Sequence, residues 1–155
     1  MPSKDKRKLA AIMFADVVGY SRMMAGNEER TLELLKDFEN ICSPIISKHD
    51  GEIIKKVGDE LFCEFSSAKQ AVDSALEIQE AIQPYNDSRP KDFKLQVRIG
   101  IHIGDIVIRD GDVYGGWRCV WRSGRMGERE TKIDYTLLEL IFGMSLYLKY
   151  HWVYR

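Results

Sequence analysis

Two aspartates in this sequence are placed where carboxylates can do chemistry. Asp16 follows a short apolar run, residues 8–14, and precedes the small-residue stretch Val17-Val18-Gly19-Tyr20-Ser21. Asp59 follows Gly58 in a tight-turn dipeptide between two short runs of strand character. Taken singly, each is an ordinary strand-end or turn residue. Brought together, two carboxylates can bridge a pair of divalent cations about 3.5–4 Å apart, which clamp an attacking and a leaving oxygen. A loop of free backbone amides beside them, opening a helix, holds phosphate. The chemistry implied is of the phosphoryl type, on a nucleoside triphosphate.

The elements that must position these residues follow from periodicity and turn signals. Residues 8–14 read as a buried strand. Asn27 is a helix N-cap, and Leu32, Leu35, Phe38, Ile41 and Ile45 recur at helical spacing to about His49. Asp50-Gly51 signals a turn; Glu52–Val57 and Glu60–Phe65 form a hairpin about Gly58-Asp59. Ser66 and Ser67 cap a second helix whose apolar face is Ala71, Val72, Ala75, Leu76 and Ile82. Residues 84–90, bounded by prolines, read as a loop. Residues 93–103 alternate as a strand with Leu95, Val97, Ile99 and Ile101 on one face, and a further hairpin is expected about Asp110-Gly111.

The order β-α-β-β-α-β predicts an α+β, ferredoxin-like antiparallel sheet with helices on one face. In that topology the first and third strands are central, adjacent and opposed. The end of one lies beside the start of the other, so Asp16 and Asp59 meet at one sheet edge. The same edge carries the loop 17–21 and the opening of the first helix.

Four segments then resemble a known family. Phe14-Ala-Asp-Val-Val-Gly-Tyr-Ser21, Gly51-Glu-Ile-Ile-Lys-Lys-Val-Gly-Asp-Glu-Leu-Phe62, Val97-Arg-Ile-Gly-Ile-His-Ile-Gly104 and Gly111-Asp-Val-Tyr-Gly115 are similar, in order and spacing, to the class III adenylate/guanylate cyclase catalytic domain. The resemblance covers roughly residues 8–115. It implies metal binding (two Mg²⁺ or Mn²⁺) at Asp16, Asp59 and the backbone carbonyl of Val17. It implies triphosphate binding by Val18, Gly19, Tyr20 and Ser21. Lys55 and Asp112 fall on the purine-reading positions, and this Lys/Asp pair resembles the adenine-reading one, so ATP is the implied substrate. The implied reaction is attack of the ribose 3′-oxygen on the α-phosphorus, giving cyclic AMP and pyrophosphate, a step in cyclic nucleotide signalling. The family's antiparallel dimers imply a homodimer with sites at the interface, metals from one chain and purine readers from the other.

Past Gly115 the resemblance ends. The family's ribose-orienting Asn and charge-stabilising Arg fall on Cys119 and Ser123. All three tryptophans and four of the seven tyrosines lie beyond residue 116, and seven Lys and Arg there face four Asp and Glu, a balance of +3 against −4 before it. The expected organisation is therefore a truncated cyclase homology domain, 1–115, and an atypical tail, 116–155, such as a shifted reading frame leaves. Such a chain is expected to be a weakened or inactive adenylate cyclase; the alternative is a non-catalytic nucleotide-binding or dimerising remnant.

Composition excludes other classes. With 155 residues, 45% hydrophobic and 30% charged, the chain is an ordinary globular one, long enough for a core without disulfides. A formal net charge of −1 argues against a nucleic-acid binder. Three cysteines without CxxC spacing point to reduced thiols and a cytoplasmic setting. No stretch has the roughly 18–20 apolar residues of a membrane span, which argues against membrane contact. His102, within an apolar strand, reads as a structural histidine.

Overall fold

The computed structural model describes residues 6–109 and 112–115. Strand β1 (Lys6–Val17) is the spine of an antiparallel sheet. Its apolar run is buried from Ala10 to Val17, because it has strands on both sides and side chains packed on both faces. Strands β2 (Glu52–Val57) and β3 (Glu60–Phe65) have the bounds expected of the hairpin, with Gly58 at φ +59 in the turn. Strand β3 pairs with β1 from Ala11↔Phe65 to Ala15↔Leu61. On the other side of β1 lies β4 (Val97–Arg109), and β5 (Asp112–Gly115) pairs with β4, giving the order β2-β3-β1-β4-β5. The four expected strands thus occupy the expected order, with β5 added at one edge.

Helix α1 (Tyr20–Gly26) follows β1 directly, then α2 (Glu28–Lys48); α3 (Ala68–Asp87) joins β3 to β4. One face of the sheet presents Met13, Ala15, Val17, Leu61, Cys63, Phe65, Val97 and Ile99 to α2 and α3. The other face gathers Ala10, Ile12, Phe14, Phe62 and Ile106, with Phe14 and Phe62 in edge-to-face contact at 5.0 Å. No described helix is long and apolar enough to cross a membrane.

Four local expectations are corrected. The buried stripe of α2 is Thr31, Leu34, Phe38, Cys42, Ile45 and Ile46, whereas Leu32 is 48% exposed. An apolar-only reading passes over Thr31, whose hydroxyl is satisfied by donating to the Asn27 carbonyl at 2.7 Å. Residues 84–87 belong to α3, which runs through Pro84. Tertiary bonds hold that last turn: the Tyr85 hydroxyl donates to Asp37 Oδ2 at 2.7 Å, and Asn86 exchanges two hydrogen bonds with the Leu95 backbone at 2.7 and 2.8 Å. Residues 91–93 form a single 3₁₀ turn, so β4 starts at Val97 rather than at 93. Finally, β4 does not break near Gly104. The start of β1 supplies partners for its second half, Lys6↔Ile108 to Leu9↔Asp105.

Candidate active site

Asp16 lies one residue before the end of β1, on the same face as Phe14 and away from the helices, and is 6% exposed. A carboxylate so placed needs a partner. The register sets Arg98 of β4 opposite it, and the guanidinium grips both carboxylate oxygens, Nε to Oδ1 at 2.9 Å and Nη2 to Oδ2 at 2.7 Å. Asp59 turns in from the β2–β3 hairpin and accepts from the Val17 amide through Oδ2 at 3.2 Å. Burial, and after it the charge of Asp16, push the Asp59 carboxyl above its ordinary range, against the lowering effect of its amide bonds and Arg98. The two aspartates thus meet as the topology requires, close enough for the charge of Asp16 to oppose the ionisation of Asp59.

The loop beside them is shaped by Gly19. Its φ of +75 turns the chain out of β1 into α1, and as N-cap it brings no side-chain cap. The amides of the first turn of α1 therefore have no cap acceptor. Val18 is tied to the other end of the site by donating to the Gln96 carbonyl at 2.8 Å. The helix opening here is the seven-residue α1, not the long helix capped by Asn27. Arg22 folds back against Gly19, its Nη2 3.2 Å from where a Cβ would stand. Val18 and Arg22 also line an open groove of about 1090 Å³ whose wall holds Arg30, Arg89, Lys91 and Lys94 against the single carboxylate Asp92.

Lys55 is half-buried on β2, next to a bulge, with Nζ 5.6 Å from the centre of the Phe62 ring. That contact puts it on the same sheet face as Asp16. Its neighbour Lys56 is ion-paired to Glu39 at 2.6 Å. Asp112 lies on β5, in register with Arg109. Lys55 and Asp112 thus occupy opposite edge strands, with β3, β1 and β4 between them. Cys119 and Ser123 lie outside the described residues.

Sequence reasoning missed Arg98 and Arg22. Arg98 had a signal: it is a lone charge in an apolar strand, Val97-Arg-Ile-Gly-Ile101, with no further Asp, Glu, Lys or Arg until Asp105, seven residues on. A charge so placed asks for a buried partner across the sheet.

The donor set fits hard divalent cations, which prefer oxygen ligands: two adjacent carboxylates and a backbone carbonyl. Among the described residues no cluster of three or more His, Cys, Asp or Glu side chains competes with it.

A conserved-domain model for the adenylate and guanylate cyclase catalytic domain matches residues 3–121, and the chain belongs to that family. The chain is 39% identical over 111 residues to putative adenylate cyclase 3 of Rhizobium meliloti, covering 71% of this chain and 19% of that protein. It is 32% identical over 106 residues to an adenylate cyclase of Streptomyces coelicolor, covering 68% of this chain and 26% of the relative. The chain therefore spans about a fifth to a quarter of these curated relatives. Among solved structures, an adenylate/guanylate cyclase/hydrolase from Silicibacter pomeroyi superposes with a TM-score of 0.69 at 41% identity, over 76% of this chain and 69% of that one. A bacterial light-regulated adenylyl cyclase shares the fold, with a TM-score of 0.66 at 19% identity over 72% of this chain and 37% of that one.

Proposed function

We propose that this chain is the catalytic domain of an adenylate cyclase, truncated at about residue 115, whose site takes ATP and whose turnover to cyclic AMP and pyrophosphate is weakened or lost. The observation that carries the reading is the meeting of Asp16 and Asp59 beside the Gly19 turn. Mg²⁺ or Mn²⁺ would be held by the two carboxylates and the Val17 carbonyl, and when bound supplies activation of the ribose 3′-hydroxyl and neutralisation of the phosphates. The loop Val18 to Ser21 orients the triphosphate through its amides. Lys55 and Asp112 read the adenine. The family's antiparallel dimers favour a site completed by a second copy, with the carboxylates from one chain and the purine readers from its partner.

Cys119 and Ser123 stand where the family's Asn and Arg are expected, and neither can replace them. Loss of one donor to developing transition-state charge lowers the rate by about 10²–10³. That substitution also favours the second reading, a nucleotide-binding or dimerising domain without turnover.

Cyclic AMP formation by the purified chain with ATP and Mn²⁺, followed over a protein concentration series, tests this. A rate that climbs faster than the protein concentration and vanishes in Asp16→Ala supports a shared catalytic site. Absence of product with Mn²⁺–ATP binding intact selects the second reading. Neither product nor binding overturns both.

A further inference from the structure

Asp16 is already occupied. Its two oxygens are held by the planar fork of Arg98, a geometry that engages both at once. The pair is well shielded, with side-chain exposures of 9% for Asp16 and 23% for Arg98. It is also built in by register, since the two residues face one another across the β1–β4 ladder. A cation bridged by Asp16 and Asp59 needs the same carboxylate oxygens, and it brings a second positive charge within a few ångströms of the guanidinium.

We infer that Arg98 is a resident counter-ion of Asp16: it holds the carboxylate while no divalent cation is bound, and its fixed charge opposes a cation that enters beside it. This rests on the reading of Asp16 and Asp59 as cation ligands. Arg98 then has two opposite effects. It stabilises the cation-free chain, because a buried carboxylate without a partner is costly. It weakens cation affinity, because the cation must enter next to a fixed positive charge and share the same carboxylate oxygens. A residue that merely orients Asp16 for the cation would do the reverse, and its loss would weaken binding.

The test is Mn²⁺ binding to the full chain, measured by the loss of the free-ion electron paramagnetic resonance signal, in wild type, Arg98→Met, Arg98→Lys and Asp16→Asn. Thermal unfolding of each is followed with and without Mn²⁺. Arg98→Met is expected to melt lower than wild type without Mn²⁺, to gain more from Mn²⁺, and to bind it about tenfold tighter or more. Arg98→Lys keeps the charge but not the fork and is expected to fall between them; should Arg98→Met fail to fold, it decides the question alone. Equal or weaker binding in the Arg98 variants, with wild-type binding lost in Asp16→Asn, overturns the counter-ion role and leaves the cation site standing. If neither wild type nor the Arg98 variants bind Mn²⁺ through Asp16, the cation site itself is wrong and the inference falls with it.

Discussion

A carboxylate at the end of an apolar strand can be tolerated only where something answers its charge, and Asp16 is answered by Arg98, which grips both of its oxygens, while Asp59 sets a like charge beside it. Asp16 and Asp59 were legible in the sequence because their positions at a strand end and a turn, combined with an antiparallel order, force them to one edge. Arg98 was not singled out, because a lone charge in an apolar strand signals a buried partner but does not say which residue it is until the register is known. His102 shows the same limit. It lies on the sheet face away from the helices, opposite Ile12, half-buried, and burial holds its pKa below the ordinary 6.5. The unfolded chain therefore takes up a proton more readily than the folded one in the window just below 6.5. Stability is complete above that value and declines as pH falls through the window. Urea midpoints measured from pH 7.5 to 5 should show this decline in wild type and a shallower one in His102→Gln. Identical slopes would remove His102 as its source.

At the scale of elements, hairpins were easier to read than helix faces. Gly58-Asp59 and the alternation about it fixed β2 and β3 to the residue. The face of α2 was displaced because Thr31 and Cys42, polar or ambiguous by type, belong to the buried stripe. Pro84 misled for a related reason. Proline lacks one helical donor, but the Tyr85, Asn86 and Arg89 contacts to α2 and to residue 95 hold the final turn regardless. The joint between α2 and β2 is tightly packed. A Cβ on Gly51 would stand 2.3 Å from Phe65 Cε1 and 2.8 Å from Ile46 Cγ2. Phe65 and Ile46 are 1% and 0% exposed and have no space to yield. Gly51→Ala should therefore cost about 1–3 kcal/mol in urea unfolding. Gly26→Ala, where nothing lies within 4 Å, should leave stability unchanged or slightly raised. Equal effects at the two positions would contradict the packing at this joint.

For the whole molecule, the sheet separates two tasks. One face buries the core against α2 and α3; the other, away from those helices, carries Asp16, Arg98, Lys55 and the Phe14–Phe62 pair. The α+β order and the family were readable because four motif segments fall in sequence at turns and strand ends. The organisation beyond residue 115 was not, since its tryptophans, tyrosines and charges follow no pattern that the first part sets up. Under the proposed reading, in which Cys119 and Ser123 take the places of Asn and Arg, substrate binding outlasts the loss of turnover and is the most direct measure of the site. Calorimetric titration of the chain with ATP is expected to give saturable binding that requires Mn²⁺ and falls at least about tenfold in Asp59→Asn. Binding that is indifferent to Mn²⁺ and to Asp59 would contradict a nucleotide site built on the two aspartates.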